Sequence, residues 1–315
     1  MENTRTKTTR NSLILLLTAA IWGMAFVSQS KGMDYMHPFT FNGVRSLIGA
    51  ASILVYILIS RKIAGDKAAK LDWKLNVRAG LLCGIFLTIA STLQQFGIKY
   101  TSVGKAGFIT TLYIIFVPMF GIFLKKKVAP VVWVAAVMAA VGMYLLCMTE
   151  SLRLGAGDIM VFLCAIAFAI QIMTVDHYAA RIDGAVVSCI QFTVCGVVCC
   201  IGALIWGQPT FGQLQEGLGA LLYAGVLSCG VGYTLQIVGQ KGLNPTVAAL
   251  IMSLESVIAT ISGWIAYKIG FLTTDQTLTA RQIAGCVIVF AAVILVQLPP
   301  EWFRFGKKNA SIKNA

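Results

Sequence analysis

The chain has 315 residues, of which 58% are hydrophobic and 12% are charged, and its formal net charge is +13. An ordinary soluble domain carries about 25% charged residues, so this composition excludes a soluble protein with a charged surface. The apolar residues fall in charge-free runs of roughly 20, the length that a helix needs to cross a hydrocarbon core. The sequence therefore predicts an all-α integral membrane protein.

Ten such runs follow one another along the chain, and we number them span 1 to span 10. They cover residues 12–30, 38–60, 78–98, 104–124, 128–148, 158–175, 185–206, 217–239, 245–267 and 281–298. The basic segment before span 1 resembles the start of a signal peptide, but no clear small-residue cleavage site follows it. Because nine further spans follow, we interpret span 1 as an uncleaved membrane helix.

The lysines and arginines indicate how the spans are oriented. With the N-terminus in the cytoplasm, 18 of the 25 basic residues flank the cytoplasmic side and 6 flank the outer side. Loops rich in these residues stay in the cytoplasm. We therefore predict a protein of the bacterial cytoplasmic membrane whose basic tails, 1–11 and 299–315, are both cytoplasmic. Basic residues at span ends favour contact with the lipid bilayer and argue against a nucleic-acid partner.

The sequence repeats itself at an offset of 142 residues. This offset aligns TLQQFGIK (92–99) with TLQIVGQK (234–241). Further identities follow at Ala106/Ala248, Ile109/Ile251, Leu112/Leu254, Gly121/Gly263 and Lys126/Lys268. Since each half has five spans, the second half enters the membrane from the opposite side. We predict two inverted five-helix repeats, 12–148 and 157–298, an arrangement found in many secondary transporters.

Several stretches resemble a known family. QQFGIKYTSVGKAGFITTLYIIFVPMFG (94–121), AALIMSLESVIATISGW (248–264) and AIWGMAFV (20–27) are similar to EamA-type transporters of the drug/metabolite transporter superfamily. The resemblance implies ten helices in two EamA-type domains that move small organic solutes. The chain departs from the family pattern at Ser256, where proline is common, and at Lys268, where an acidic residue is common.

Two charged side chains, Arg45 and Glu255, lie inside predicted spans. Burying either one costs a few kcal/mol or more, so each needs a partner. In one interpretation, Arg45 binds an anionic group of the solute, and Glu255 binds an amine or carries a coupling proton. In the other, they form a buried ion pair, with each other or with backbone groups, that fixes helix packing. The sequence leaves both interpretations open.

The repeat places polar side chains at matching depths. Glu255 aligns with Tyr113, Gln94 aligns with Gln236, and Thr110 lies one turn before Tyr113. The predicted solute-binding residues are Arg45, Gln94, Thr110, Tyr113, Gln171, Gln191, Tyr233, Gln236 and Glu255. The amides can instead hydrogen-bond neighbouring helices, and aromatic rings near span ends can anchor the protein at the membrane interface.

An intramembrane enzyme and a channel are the alternative functions. Gly155-Ala156-Gly157-Asp158 matches the GxGD of intramembrane aspartyl proteases. That chemistry needs a second aspartate in another span to share a proton, and the sequence has none, so we interpret Asp158 as a helix cap. A channel is expected to carry filter motifs or rings of like charge, and neither is visible in the sequence.

The chain also lacks an ATP-binding GxxxxGK[ST] loop, and its nine cysteines and two histidines show no zinc-ligand spacing. We therefore predict no cofactor, no metal and no catalytic residue. The predicted function is alternating-access export of an amino-acid-like or amphiphilic solute, with protons as a candidate coupling ion through Glu255. The sequence leaves the oligomeric state open.

Overall fold

The structure is a computed structural model that describes residues 2–65, 71–101, 103–125, 129–147, 155–272 and 277–297. All secondary structure in these ranges is helical. The α-helices are α1 (Glu2–Gly32), α2 (Pro38–Ala64), α3 (Trp73–Tyr100), α4 (Val103–Thr111), α5 (Tyr113–Phe123), α6 (Pro130–Cys147), α7 (Ala156–Tyr178), α8 (Gly184–Gly202), α9 (Phe211–Glu216), α10 (Leu218–Leu222), α11 (Tyr233–Gln240), α12 (Pro245–Met252), α13 (Glu255–Lys268) and α14 (Ala280–Gln297). Two π-helical segments, Ala203–Gly207 and Tyr223–Gly232, continue α8 and join α10 to α11.

Eight helical segments in the described part of the chain are long and apolar enough to cross a membrane. They are Thr8–Gly32, Pro38–Ala64, Trp73–Tyr100, Ala106–Phe123, Ala156–Tyr178, Gly184–Gly207, Leu218–Gln240 and Pro245–Lys268, which correspond to spans 1–4 and 6–9. Spans 5 and 10 correspond to α6 and α14, in which the apolar segments Pro130–Gly142 and Ala280–Leu295 are shorter. The predicted N-terminal tail is helical from Glu2, and the tail 299–315 lies outside the described residues.

Spans 4 and 9, which the sequence predicts as single helices, are each interrupted near the middle. In span 4, the Leu112 amide donates to the Ile109 carbonyl at 3.2 Å, and in span 9 the Leu254 amide donates to the Ile251 carbonyl at 3.3 Å. These bonds join residues three apart, whereas an α-helix joins residues four apart. Leu112 has φ −58° and ψ −9°, and Leu254 has φ −60° and ψ −13°. The two interruptions therefore have the same local geometry at equivalent repeat positions.

Hydroxyl side chains accompany both interruptions. Thr111 Oγ1 donates to the Gly107 carbonyl at 3.0 Å, and Ser253 Oγ donates to the Leu250 carbonyl at 2.7 Å. Serine and threonine that bond back to a carbonyl of the preceding turn compete with the helix backbone and bend the helix. Tyr113 and Glu255 are each the first residue of the helix that follows the interruption.

Helices of the first half pack mainly on helices of the second. α3 lies against α7 and α8, α2 against α8 and the segment Tyr223–Gly232, α1 against α11 and α13, and α6 against α14. Small residues permit the closest crossings: a Cβ atom added to Gly97 would lie 2.9 Å from the Gly157 carbonyl oxygen. This mutual packing places the helices of both halves around one shared interior.

Side-chain caps define several helix starts outside the interior. Asp158 Oδ2 accepts from the Gly155 amide at 2.8 Å, which confirms the interpretation of Asp158 as a cap. Its other oxygen accepts from Thr101 Oγ1 at 2.7 Å, linking the end of α3 to the start of α7. At the start of α2, His37 Nδ1 accepts from the Phe39 amide at 3.4 Å. Burial and the nearby charge of Lys99 lower the pKa of His37 below its ordinary value of 6.5.

Candidate functional site

A cavity between helices of both halves collects most of the predicted site residues. Eight of the nine line it, namely Arg45, Gln94, Thr110, Tyr113, Gln171, Tyr233, Gln236 and Glu255. The volume that the centre of a water molecule can reach is about 40 Å³. This space holds a few water molecules and is too small for an amino acid. We call it the central cavity.

Glu255 and Tyr113 meet in the central cavity. The Tyr113 hydroxyl donates to Glu255 Oε1 at 3.0 Å, and the two side chains are only 2% and 4% exposed, respectively. Glu255 is the first residue of α13, and the Ser256 and Ile258 amides that follow it already donate to the Ser253 and Leu254 carbonyls. Because the two residues are separated by the repeat offset of 142, equivalent positions of the two halves touch each other. This contact between equivalent residues lies where helices of the first half face helices of the second half.

Arg45 reaches the same cavity from α2 without a carboxylate partner. Its Nε donates to Asn42 Oδ1 at 2.8 Å, and its guanidinium carbon lies 5.4 Å from the ring centroid of Phe41. Within the described ranges, the remaining guanidinium N–H groups have no acceptor in the protein, and the ion pair found there joins Lys31 to Asp34. The interpretation of Arg45 and Glu255 as an ion pair with each other is therefore wrong.

A polar network holds Arg45 in place. Asn42, which accepts from Arg45, donates through Nδ2 to Ser91 Oγ at 3.2 Å. Ser91 Oγ and Ser46 Oγ each lie 3.4 Å from the sulfur of Cys195. The network joins α2 and α3 of the first half to α8 of the second, so the direction of the guanidinium depends on how the two halves pack.

The glutamines form hydrogen bonds between helices and still leave groups free for a ligand. Gln94 Nε2 donates to Thr110 Oγ1 at 3.2 Å, and Gln236 Nε2 donates to Gln171 Oε1 at 3.3 Å. In the second pair, Gln171 Nε2 and Gln236 Oε1 are buried without a partner among the described residues. Rotating both amides exchanges their roles but still leaves one donor and one acceptor. Packing and ligand binding are therefore compatible roles for this pair.

Comparison with known proteins gives this architecture a family. The model of the EamA-like transporter family matches residues 10–148 and matches again at residues 155–298. The chain belongs to the EamA-like transporter family. The match confirms the resemblance seen in the sequence, and it makes the chain a multi-pass membrane protein of a transporter family.

Several proteins that are named transporters align with this EamA-family chain over most of their length. A protein of Archaeoglobus fulgidus named an uncharacterized transporter is 27% identical over 285 residues, covering 90% of this chain and 84% of its own. YwfM of Bacillus subtilis, also named an uncharacterized transporter, is 24% identical over 294 residues, covering 92% and 94%. A solved crystal structure matches with a TM-score of 0.72 at 16% identity, covering 94% of this chain and 99% of that chain. At this identity the likeness shows a shared fold alone.

The cavity of this EamA-family chain also contains residues that the sequence analysis did not select as binding residues. Gln29 Oε1 and Trp22 Nε1 are buried without a hydrogen-bond partner in the described part of the chain, and both residues line the cavity. The Trp22 ring centroid lies 4.5 Å from that of Tyr233. The repeat could have identified Gln29 from the sequence, because the 142-residue offset aligns Ala25, Phe26 and Gln29 with Ala167, Phe168 and Gln171.

Gln191 is the predicted site residue that the structure places elsewhere. It is fully buried on α8, and its Cα lies 3.2 Å from where a Cβ atom of Gly84 on α3 would stand. Neither atom of its amide has a hydrogen-bond partner among the described residues. Gln191 thus lies in the α3–α8 contact beside the cavity and does not form part of the cavity wall.

Proposed function

We propose that this EamA-family protein is a secondary transporter that exports a small amino-acid-like or amphiphilic solute across the bacterial cytoplasmic membrane by alternating access. The observation that carries this proposal is the paired construction of the cavity wall. Six residue pairs separated by 142 positions line the central cavity: Phe26/Phe168, Gln29/Gln171, Leu87/Cys229, Ser91/Tyr233, Gln94/Gln236 and Tyr113/Glu255. A site made from equivalent residues of two halves lies at their interface, where inverted-repeat transporters bind their substrates.

The paired interruptions of spans 4 and 9 support the same mechanism. Discontinuous helices at the substrate site are a recurring feature of inverted-repeat carriers, and here both interruptions immediately precede cavity residues, Tyr113 and Glu255. We infer that the chain has ten spans in two inverted halves of five, with both termini in the cytoplasm. In that arrangement, bending at Leu112 and Leu254 would move the two halves in opposite directions.

The small volume of the central cavity also bears on the mechanism. A reachable volume of about 40 Å³ cannot admit a metabolite unless helices separate, because protein interiors are close-packed and strain is relieved by moving whole elements. A continuous water-filled pore, the channel alternative, needs a wider path through these helices. We therefore favour a carrier that binds its solute in a briefly opened cleft.

The groups around the cavity suggest the chemistry of the solute. The guanidinium of Arg45 offers donors to an anionic group, and such charge-assisted bonds are about twice as strong as neutral ones. The amides of Gln29, Gln171 and Gln236 offer both donors and acceptors, while phenylalanine and tryptophan rings supply an apolar wall. Convergent polar groups set in a mostly apolar lining are typical of small-molecule sites.

Glu255 is the best candidate for coupling transport to a proton gradient. It is the one carboxylate in the wall of the central cavity, and intramembrane acids commonly form proton pathways in transporters. The enzyme alternative has no comparable support, because Asp158 of the GxGD sequence is engaged as a helix cap. We therefore propose no catalytic role for any residue.

The proposed function is tested with purified protein. A thermal-shift screen against amino acids and amphiphilic metabolites identifies ligands, because binding to the folded state raises the unfolding temperature. Each ligand is then tested in proteoliposomes for counterflow. We expect saturable uptake that accelerates when the same solute is present on the far side. Single-channel conductance, or counterflow with none of the stabilising ligands, would contradict a carrier.

A further inference from the structure

A second cavity lies at the end of the helices that the lysine and arginine pattern assigns to the cytoplasm. Its reachable volume is about 600 Å³, which is large enough for a metabolite. Four stretches line it: residues 56–64 of α2, residues 71–76 before and within α3, residues 180–185 at the start of α8, and residues 234–241 of α11. We call this cavity the inner vestibule.

The side chains that line the inner vestibule carry a net positive charge. Its lining contains three cations, Arg61, Arg181 and Lys241, and two carboxylates, Asp72 and Asp183. Both carboxylates are engaged as helix caps: Asp72 accepts from the Leu75 amide, and Asp183 accepts from the Ala185 and Val186 amides.

The cations are less fully engaged than the carboxylates. Lys241 Nζ donates to the Ile182 carbonyl at 3.2 Å, and Arg181 makes one long bond of 3.4 Å to the His177 carbonyl. The Arg61 side chain bonds to no described residue. Several N–H donors therefore remain for a ligand, whereas each carboxylate uses one oxygen, Oδ1, in its helix cap.

The inner vestibule and the central cavity share their helices. On α2, Arg45 of the central cavity lies on the same helix face as Ser52, Tyr56 and Ser60. These residues follow Arg45 at intervals of seven, four and four residues, which return to the same side of a helix. Tyr56 and Ser60 line the vestibule. On α11, Gln236 lines the central cavity and Val238 lines the vestibule.

Buried isoleucines lie along the chain between the two sets of lining residues. Ile53 lies between them on α2, and Ile237 lies between Gln236 and Val238 on α11. They are 4% and 0% exposed, and they belong to separate apolar clusters. The two cavities are therefore connected through shared helices whose intervening residues are partly apolar.

We propose that the inner vestibule is a binding site for the anionic group of an organic solute, held by Arg61, Arg181 and Lys241 before the solute reaches Arg45. This inference rests on the proposed transport function, because it identifies the cytoplasmic mouth of the same pathway. The ligand chemistry is a carboxylate or other oxyanion attached to an apolar body. Tyr56, Ile57, Leu71 and Val238 supply the apolar wall.

The test measures the local charge of the vestibule without knowing the solute. Ser60→Cys introduces a thiol in the vestibule wall, and the change is nearly isosteric. The thiol is labelled with an anionic reagent, 2-sulfonatoethyl methanethiosulfonate, or with a cationic one, 2-(trimethylammonium)ethyl methanethiosulfonate, in a neutral detergent. Labelling of the chain without Ser60→Cys measures the background from its own cysteines. We expect the ratio of anionic to cationic rates to fall about fivefold or more when Arg61→Gln and Arg181→Gln are added.

A matched variant separates vestibule charge from overall charge. Lys62→Gln removes one cation from the adjacent position of α2 but does not touch the vestibule lining, so it should change the rate ratio less than twofold. Arg61→Lys should restore most of the ratio lost in Arg61→Gln. An equal effect of Lys62→Gln and Arg61→Gln would overturn the proposal, because the ratio would then report only the general charge of the surface.

Benzoate and an anionic phospholipid distinguish the two sources of an oxyanion. Benzoate at millimolar concentration should slow labelling of Ser60→Cys several-fold relative to chloride at the same ionic strength, in the original chain but not in the Arg61→Gln, Arg181→Gln variant. If phosphatidylglycerol nanodiscs block labelling relative to phosphatidylcholine nanodiscs and benzoate has no effect, the vestibule holds a lipid headgroup and the solute proposal is wrong. Because labelling needs no transport, this result is independent of the counterflow assay.

Discussion

The two halves of the central cavity place equivalent residues around it but give them different chemistry. In the first half, Gln94 donates to Thr110, and Tyr113 opens α5. In the second half, the position of Thr110 is held by Met252, and Gln236 pairs with Gln171 of α7 instead. Glu255 takes the place of Tyr113. Two halves with equivalent backbones can exchange their conformations. The side chains remain different, because only the second half contributes a carboxylate, Glu255, to the Tyr113–Glu255 pair.

The largest expected effect comes from removing that acid. With one proton coupled to each solute, a pH difference of one unit supports up to about tenfold accumulation. In Glu255→Gln, we expect this accumulation to disappear in proteoliposomes, since the amide does not carry a proton between the two sides. Counterflow of the same solute at equal pH should persist, because exchange needs no net proton movement. Unchanged accumulation driven by the pH difference would disprove the coupling role.

Tyr113→Phe is the matched control for this variant. It keeps the carboxylate and removes only the 3.0 Å bond from the tyrosine hydroxyl. We expect coupled accumulation to remain and the transport rate to fall by about tenfold or more, since a hydrogen bond to a charged group contributes about 1.5–3 kcal/mol. Loss of counterflow in both variants would instead assign the pair to solute binding.

Arg45 has no counterpart in the other half of the cavity wall, and its removal should change affinity. We expect Arg45→Gln to weaken binding of anionic solutes by about tenfold to hundredfold, the value of a charge-assisted hydrogen bond. Neutral analogues should lose much less. Isothermal titration of the ligands found by thermal shift measures both. Asn42→Ala, which removes the acceptor at 2.8 Å, should produce a smaller loss because the charge remains but its direction is no longer fixed.

The helix crossings of the two halves allow a test of stability. Gly97 and Gly239 are equivalent at the 142-residue offset. A Cβ atom at Gly97 would meet Val161 Cγ2 and would lie 2.9 Å from the Gly157 carbonyl oxygen. One at Gly239 would lie 2.8 Å from Leu15 Cγ and Cδ2 and 3.2 Å from the Asn11 carbonyl oxygen. We expect Gly97→Ala to destabilise the protein by about 1–3 kcal/mol, since two backbones would have to separate. Gly239→Ala should cost about 1 kcal/mol or less, since Leu15 can shift. Unfolding in dodecyl maltoside measures both, and a larger cost at Gly239 would contradict this comparison.

The cavity was largely predictable from the sequence because its residues are polar exceptions in apolar spans. A buried glutamine or charge is costly in a membrane unless it meets a partner. The sequence alone therefore indicates Arg45, Gln94 and Glu255 as candidate site residues. The repeat then places them at related depths. The same alignment would have identified Gln29, whose equivalent, Gln171, was already among the predicted residues.

The remaining features depend on three-dimensional packing that a linear pattern does not contain. Gln191 is as polar as Gln171, yet it does not line the cavity, and its Cα lies in the contact of α8 with Gly84 of α3. The interruptions at Leu112 and Leu254 are accompanied by hydroxyls that bond to helix carbonyls, but the same bonds occur at Thr88 and Thr174 inside uninterrupted helices. From the sequence, Arg45 could pair with Glu255. In the structure, Arg45 donates to Asn42, and Glu255 accepts from Tyr113.

The smallest expected effect comes from the caps of the second helix of each half. α2 begins at a cap formed by His37 Nδ1, whereas α8 begins at a cap formed by the carboxylate of Asp183. The His37 cap requires neutral imidazole, and burial lowers the pKa of His37 below 6.5. The unfolded chain therefore binds the proton first as pH falls through about 6.5, and the folded state loses stability below that pH. We expect His37→Asn, which keeps an acceptor, to reduce the loss in unfolding temperature between pH 7.5 and 5.5 by about 1–2 °C, roughly the value of part of one cap. An identical loss in both proteins would show that protonation of His37 does not weaken the start of α2.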